Sequence, residues 1–482
     1  SYNGYYRELN IGNAVASDKF QMNGVDFARE YFASAPDSVI IFKLSAKGGK
    51  INTRIAFHSL LPYKTNAYNV TEKISDRKRA LDFVPEQSST GIADLVVDGY
   101  TAYNSLPGYY DGEEEKFNYD SRRGTHFRTI VRVLVKDGSV KTPYNDVIDI
   151  NDCSEAIVIF SNVTSFNGPY KNPATEGRNY KLDVKNRIEK ATKISYEELK
   201  SRHISDYQSL FNRVEIDLGK TDSSILALDT DEQLKKNVDE STYNPDLEEL
   251  YFQFGRYLLI SSSRTEGVPA NLQGLWNEYL TPPWSSNYTT NINVEENYWP
   301  AEIANLGELQ LSSMIGWIKN LPKSGEISAK NYYGVQRGWN LGQNSDIWCM
   351  TNPVGQRGGD PCWACWTMGG AWLSTHLWEH YTFTLDKEYL SSVYSVMKGA
   401  ADFCLDWLIE KDGFLITAPG TSPEAKYITE REIFEAKYKD DIKNSTENNK
   451  HSLFPGNSYE ILSKVEERIE AVLAMDFYSI PD

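Results

Sequence analysis

The hydrophobic period of the chain changes once, near residue 180, and this change constrains its fold more than any other feature. In residues 127 to 135 the side chains alternate, so that Phe127 and Val133 lie on one face and Arg128 and Arg132 on the other. After the change, apolar residues recur every three or four positions, as they do in amphipathic helices. The pattern predicts an antiparallel β-sandwich followed by a helical region.

Several short segments of the first part have the composition of strands. Residues 38 to 45 and 51 to 59 flank a glycine-containing turn, and Asp137-Gly138 supplies a second turn typical of a hairpin. Residues 155 to 160 are apolar enough for a fully buried strand. Many short strands with turns between them favour a two-layer antiparallel structure.

The second part is predicted to be helical. Residues from about 184 to 212 should form a helical linker, with breaks near Ser195 and Ser201 and a short strand at 214 to 218. Further helices are expected at residues 247 to 262, 300 to 321, 368 to 383 and 387 to 409, the last two as a hairpin. Helices joined alternately by short turns and long loops favour an (α/α) toroid with a pocket at one end.

A chain of 482 residues is too long for one hydrophobic core, so we expect a multidomain α and β protein. Four regions are predicted: an N-terminal β-sandwich at 1–175, a helical linker at 176–230, the first part of the toroid at 231–426, and a charged helical tail at 427–482.

The charge balance excludes two classes of partner. A formal net charge of −17 argues against nucleic acids and anionic membrane surfaces. No stretch of about 18 apolar residues occurs, so insertion into a membrane is not expected. Cys362 and Cys365 have the spacing of half a zinc site without further ligands, so we predict thiols and no metal or cofactor.

The stretch from residue 269 to 303 is rich in tryptophan, tyrosine and asparagine and contains no Lys or Arg. Its first half has neither the period of a strand nor that of a helix, which predicts a long irregular segment. Such segments inside a compact domain are usually functional. Aromatic faces beside neutral amides suit a sugar ring, which has an apolar face and a rim of hydroxyl groups.

Motifs in this stretch and elsewhere resemble those of glycoside hydrolase family 95. They are NLQGLW from residue 271, PPW from 282, NINVEENYWPAE from 291, Gly338-Trp339, Asp346-Ile347-Trp348, MGGAWLSTHLWEHY from 368, Thr421-Ser422-Pro423-Glu424, and GYYRELNIGNAVA from residue 4. The resemblance implies a β-sandwich, a linker, an (α/α)6 toroid and a C-terminal β-domain. It also implies inverting hydrolysis of α-L-fucosides, and in some members of α-L-galactosides.

The resemblance further implies catalytic roles. Glu424 would be the general acid, and Asn291 and Asn293 would hold the attacking water, both on one side of a locally extended backbone. The family's base is an Asp in a motif like Asp-Gly-Asn-Phe-Gly far downstream of the acid, and this sequence does not contain that motif. We therefore expect the sequence to lack parts of the natural chain at both ends.

Substrate contacts are predicted around these residues. The small Thr289 stands where some fucosidases of the family have His, which leaves room for a C6 hydroxyl and suggests activity on α-L-galactosides, alone or with fucosides. The complete set of predicted substrate-binding residues is Thr289, Gln273, Trp276, Trp284, Trp299, Asn344, Asp346 and Trp348. The predicted partners are oligosaccharides or polysaccharide side chains bearing L-fucose or L-galactose, and the predicted location is periplasmic or secreted.

Two other functions stay open on the sequence. The first is an inactive or binding-only relative, which the missing base Asp suggests. The second is another (α/α)6 enzyme such as a disaccharide phosphorylase, which uses a Glu acid and replaces the attacking water with phosphate. That enzyme would need a cluster of Ser, Thr or basic residues for phosphate, and none stands out near Glu424.

Overall fold

The computed structural model describes residues 3–70, 91–108, 110, 112, 115–240, 242–353, 361–418, 420, 421 and 423. All of them belong to one compact unit, Ser1–Pro423. The second unit, Glu424–Asp482, lies outside the described residues, and so do Glu424 itself and the predicted tail. The predicted boundaries at residues 175, 230 and 426 stay predictions.

The N-terminal region consists of antiparallel strands, as the alternating sequence predicts. The strands are β1 Asn3–Asn10, β2 Val15–Met22, β3 Val25–Ser34, β4 Val39–Lys47, β5 Ile51–Ala56, β6 Tyr63–Asn69, β7 Ile92–Tyr100, β8 Asn104–Ser105, β9 Phe117–Asn118, β10 His126–Val135, β11 Ser139–Tyr144, β12 Val147–Cys153 and β13 Glu155–Thr164. One sheet has the order β1-β2-β3-β4-β13-β10-β7-β6 and a second has the order β11-β12-β5. Their shared core includes Leu95, Val133 and Ile150.

The outer face of the larger sheet is covered by helices α1 (Tyr180–Thr192) and α2 (Tyr196–Phe211). For this reason both faces of β10 are buried, and Arg132 lies inside the protein rather than in water. Its guanidinium donates two hydrogen bonds of 2.7 Å to Asp94 and one of 3.1 Å to Thr192 at the end of α1. Since an unpaired buried charge is very costly, Asp94 stabilises this buried guanidinium within the sheet, and the bond to Thr192 links the sheet to α1.

The remaining elements are mostly helical. They are α3 Ser223–Leu226, α4 Thr230–Glu240, α5 Pro245–Ser262, β14 Tyr288–Thr289, α6 Asn293–Tyr298, α7 Pro300–Ile303, α8 Gly307–Gln310, a π-helical turn Leu311–Ile315, α9 Gly316–Ile318, α10 Pro322–Tyr333, β15 Asn344–Ser345, α11 Pro361–Ala364, α12 Gly369–Thr384, α13 Lys387–Trp407, β16 Leu408–Lys411 and β17 Phe414–Thr417. The predicted order of antiparallel sheets followed by helices is confirmed. The (α/α)6 toroid stays a prediction.

Three local predictions are wrong. The helix expected at 300 to 321 breaks at Asn305, which has a φ of 56°, and a Cβ on Gly307 would lie 2.4 Å from the Glu302 carboxylate. The strand expected at 214 to 218 is unpaired and is held by side chains of α5, because Gln253 donates to the Val214 carbonyl. Helix α2 passes Ser201 without a break; only Ser195 interrupts the linker, as an N-cap.

Trp339 joins three helices of the second part. It is 1% exposed, and its Nε1 donates to the Val396 carbonyl of α13 at 2.8 Å. A Cβ added to Gly325 of α10, Gly370 of α12 or Gly399 of α13 would lie 2.7–2.9 Å from its side chain. The glycines therefore allow these helices to close around the indole, which explains the Gly338-Trp339 motif by packing.

The described residues contain neither a candidate membrane span nor a candidate metal site. No described helix is both long and apolar enough to cross a membrane. Among the described side chains, no group of three or more His, Cys, Asp or Glu residues is arranged to hold a metal ion.

Candidate active site

A two-stranded ribbon lies at the centre of the predicted sugar site. Strands β14 and β15 pair with Tyr288 opposite Ser345 and Thr289 opposite Asn344. The ribbon continues for one residue, because the Thr290 N–H donates to the carbonyl of residue 343 at 2.7 Å. The structure therefore places two of the predicted substrate-binding residues, Thr289 and Asn344, directly across from each other.

Asn287 connects these two residues, although it is not one of the predicted substrate-binding residues. Its Oδ1 accepts a hydrogen bond of 2.6 Å from the Thr289 hydroxyl and one of 3.0 Å from the Asn344 amide. Its backbone carbonyl accepts from the Leu272 N–H at 3.1 Å. In the sequence, Ser285-Ser286-Asn287 resembles an ordinary turn, so only the pairing of distant strands reveals the role.

Three polar atoms of this region are buried and have no hydrogen-bond partner: Asn344 Oδ1, Ser345 Oγ and Asn291 Oδ1. An unsatisfied buried acceptor destabilises the folded state by roughly 1–3 kcal/mol. Such atoms are uncommon in folded proteins, and a cluster of them is typical of a functional site. Two are carboxamide oxygens, which accept hydrogen bonds from hydroxyl groups.

Two buried aromatic residues hold the ribbon and the following helix in place. Trp317 packs edge-on against Tyr288 with ring centroids 4.8 Å apart, and its Nε1 donates to the Asp346 carbonyl at 3.1 Å. The Tyr298 hydroxyl of α6 accepts from the Ala270 N–H at 2.9 Å and from Ser313 at 3.1 Å. These bonds fix the start of the aromatic stretch relative to α6.

The predicted water-binding pair stands at the beginning of α6. Asn291 lies in a turn and Asn293 is the first residue of the helix. The expectation of a locally extended backbone is therefore wrong, because helix formation starts between the two side chains. Their catalytic roles stay predictions.

Glu295 of α6 is fully buried, and neither of its carboxylate oxygens has a hydrogen-bond partner. Burial raises the pKa of this carboxyl to about 9, so it is neutral at pH 7. No local pattern distinguishes Glu295 from the exposed Glu296, because the two stand side by side in the same motif.

Asp346 and Trp348 lie just beyond the ribbon. The Asp346 carboxylate accepts from the backbone N–H groups of Trp348 at 2.9 Å and Met350 at 3.2 Å. These two bonds lower the pKa of the Asp346 carboxyl, but burial has the larger effect and raises that pKa above its ordinary value. Trp348 packs edge-on against Phe166 with centroids 5.1 Å apart, so part of its ring stabilises the contact with the N-terminal region.

The other predicted tryptophans are exposed. Trp276 and Gln273 line a surface depression of about 610 Å³ in the aromatic stretch. Trp284 belongs to the same stretch, and Trp299 lies between α6 and α7. The structure thus brings Gln273 and Trp276 together. In the part of the chain that the structure describes, no hydrogen bond or ring contact joins the side chains of Trp299 or Trp348 to those of the ribbon.

The predicted acid, Glu424, lies outside the described residues. In the sequence, Glu424 follows the hairpin of β16 and β17, in which Leu408 pairs with Thr417.

The two histidines of α12 are buried and belong to the protein core. His380 Nδ1 lies 2.6 Å from Glu302 Oε1, and burial lowers the pKa of His376 to about 4.

Comparison with known proteins identifies the family. The model described as "Glycosyl hydrolase family 95 catalytic domain" matches residues 195–452, which is more than half of the chain. The chain belongs to glycoside hydrolase family 95. Residues 1–169 match the model "Glycosyl hydrolase family 65, N-terminal domain", so the N-terminal sheets have a counterpart in another hydrolase family.

This family 95 chain is also similar to individual proteins. It is 37% identical over 425 residues to "Alpha-L-fucosidase 2" of Arabidopsis thaliana, covering 87% of this chain and 48% of that protein. It is 30% identical over 432 residues to "Probable alpha-fucosidase A" of Aspergillus niger, covering 87% and 49%. A solved structure provisionally named a kojibiose phosphorylase from human microbiome is 10% identical, with a TM-score of 0.49 over 86% of this chain and 47% of that one. The chain spans about half the length of the curated relatives.

Proposed function

We propose that this chain forms part of an exo-acting glycoside hydrolase that removes terminal α-L-fucosyl or α-L-galactosyl residues from glycans with inversion. The observation that carries the proposal is the group of polar side chains at the ribbon. Asn287 is hydrogen-bonded to Thr289 and Asn344, and the carboxamide oxygens of Asn344 and of Asn291, two residues after Thr289, are buried without a partner. The names of the two relatives, both α-fucosidases, support the same substrate class.

The proposed reaction needs one proton donor and one activated water. Glu424 gives its proton to the glycosidic oxygen as the bond from C1 to that oxygen breaks. A water held by the carboxamides of Asn291 and Asn293 attacks C1 from the opposite face, which inverts the configuration. Amides are too weak as bases to take the water's proton, so a carboxylate must receive it. The resemblance to the family assigns that role to an Asp.

Two further parts of the proposal follow from the family. The helices α5 to α13 would form the first part of an (α/α)6 toroid, with the ribbon near its loop end. A protein that acts on fucosylated or galactosylated glycans outside the cell would be periplasmic or secreted. Both are tested together with the activity, by solving the structure with a bound sugar and by locating the protein in cell fractions.

Thr289 provides a test of sugar specificity. With a small residue opposite Asn344, we expect hydrolysis of aryl α-L-galactosides at a rate within about tenfold of aryl α-L-fucosides, because one hydroxyl in a site that tolerates it changes the transition-state free energy by about 1 kcal/mol. The measurement is kcat/KM on the paired p-nitrophenyl glycosides. Strict preference for the fucoside would contradict the assignment of Thr289.

A matched variant separates the specificity from the activity. Thr289→His restores the residue of some family fucosidases and should lower kcat/KM for the galactoside more than for the fucoside. If wild type releases neither sugar but binds both, the binding-only function replaces the proposed one. If release depends on inorganic phosphate, the phosphorylase function replaces it.

A further inference from the structure

Residues 273 to 286, which we call the aromatic loop, precede the ribbon, and the residues at the two ends of the loop, Leu272 and Asn287, are hydrogen-bonded to each other. The Leu272 N–H donates to the Asn287 carbonyl at 3.1 Å, and Asn271 pairs with Gly274 in an isolated β-bridge. Compact surface loops of this kind, whose ends lie close together, are frequently functional. Asn287 therefore anchors both the aromatic loop and the side chains of Thr289 and Asn344.

The aromatic loop holds large apolar side chains in water. Trp276, Tyr279 and Trp284 are 58%, 60% and 66% exposed. Trp276 and Tyr279 line the depression of about 610 Å³, together with the amides of Gln273 and Asn277. Clustered exposed aromatic residues on a soluble protein mark an interaction site more often than chance exposure.

The backbone next to this cluster is strained. Trp284, Ser285 and Ser286 have φ values of 48°, 61° and 47°, a left-handed conformation that residues other than glycine rarely adopt in succession. The Ser285 N–H donates to the Pro282 carbonyl at 2.9 Å, which closes this turn. Strain of this kind persists where the surrounding structure enforces it, and such positions cluster at binding sites.

The chemistry of the aromatic loop selects its ligand. Residues 269 to 303 contain no Lys or Arg, and Glu278 lines the depression, so an anionic ligand is disfavoured. Exposed aromatic faces beside neutral amides match a carbohydrate, because the rings cover the apolar face of a sugar and the amides bind its hydroxyl groups.

The position of the aromatic loop selects the part of the glycan. An exo-acting hydrolase encloses only the terminal sugar, and everything beyond the cleaved bond extends out of the pocket. The ribbon side chains Thr289 and Asn344 are buried, whereas Trp276 and Trp284, which precede Asn287 in the chain, are exposed. The buried ribbon side chains therefore suit the terminal sugar, and the exposed aromatic loop suits the sugars beyond the cleaved bond.

We propose that the aromatic loop binds the leaving portion of the glycan, with Trp276 and Trp284 stacking on sugar residues beyond the cleaved bond. This inference rests on the proposed function for the meaning of "leaving portion", but the binding of an oligosaccharide to the loop does not depend on catalysis. It makes the aromatic loop a specificity determinant for oligosaccharides over simple aryl glycosides.

The test compares two substrates in three variants. Trp276→Ala and Trp284→Ala should raise KM for fucosyllactose, a trisaccharide with a terminal fucosyl residue, by about tenfold, and change KM for p-nitrophenyl α-L-fucoside less than about twofold. Trp378→Ala removes a tryptophan that is 51% exposed on α12 and should change neither value. Unchanged KM for both substrates, or an equal rise for both, would overturn the proposal.

Calorimetric titration with fucosyllactose and lactose keeps this test separate from the test of hydrolysis. If wild type releases no sugar but binds fucosyllactose, and Trp276→Ala or Trp284→Ala weakens that binding about tenfold, the aromatic loop binds the glycan and only the hydrolase proposal fails. If wild type hydrolyses fucosyllactose while the variants bind it as tightly as wild type, only the loop proposal fails. If wild type binds neither sugar, both fail.

Discussion

Replacing Glu424 by Gln is expected to lower kcat on fucosyllactose by about 10²–10⁴-fold, the usual contribution of a general acid. The amide has the same shape as the carboxyl but cannot give a proton to the leaving oxygen. A dinitrophenyl α-L-fucoside has a leaving group that needs little protonation, so the same variant should lose much less activity on it. The measurement is kcat on both substrates under identical conditions.

The control for this variant is Glu410→Gln. Glu410 is an exposed carboxylate on β16, in the hairpin that leads to Glu424, and has no proposed contact with the substrate. It should keep wild-type activity on both substrates. An equal loss on the two substrates in Glu424→Gln would indicate a structural role instead of proton donation, and full activity would remove Glu424 from the mechanism.

Replacing Glu295 by Gln is expected to stabilise the protein by about 3 kcal/mol at pH 7 and to flatten the dependence of its stability on pH. Burial raises the pKa of this carboxyl from an ordinary value of 4.5 to about 9 in the folded state. Between these values the unfolded chain has released the proton and the folded chain keeps it. The free energy of unfolding therefore falls by about 1.4 kcal/mol for each pH unit in this range.

Denaturant unfolding at about pH 5 and about pH 8 measures this effect. Wild type should lose stability between the two, and Glu295→Gln should lose much less, so the two proteins differ little at the lower pH and most at the higher. Glu296→Gln changes the exposed neighbour on the same helix and should behave as wild type. An unchanged pH slope in Glu295→Gln would show that this carboxyl is not held in its neutral form.

Local sequence patterns predicted the elements that contain a long periodic run of apolar side chains. The alternation of residues 127 to 135 corresponds to β10, and the helical hairpin expected around Asp386 corresponds to α12 and α13. In both cases the long periodic run is a local signal that can be read without knowledge of distant contacts. The apolar run at 155 to 160 also became β13, a central strand of the larger sheet.

The patterns failed where a distant contact decides the outcome. Nothing near Arg132 in sequence indicates that α1 covers that face and provides Thr192 as a partner. A single residue can also interrupt a periodic pattern, since the helix expected at 300 to 321 breaks at Asn305, which has a φ of 56°.

Some residues of the candidate site were predicted from sequence motifs, and others could be recognised only in the structure. Motifs selected Thr289 and Asn344, and the structure places them opposite each other. They did not select Asn287, whose two side-chain bonds exist only once strands from distant parts of the chain have paired. The neutral state of Glu295 likewise depends on burial, which its neighbours in sequence do not reveal.

The most direct test of the proposed function is the anomeric form of the first product, followed by proton NMR during hydrolysis of fucosyllactose. Attack by a water opposite the leaving group predicts that β-L-fucose appears first and then equilibrates with the α form. Initial release of α-L-fucose would contradict the assignment of Asn291 and Asn293 to an inverting water. Binding of the trisaccharide without any release of fucose would contradict the activity itself.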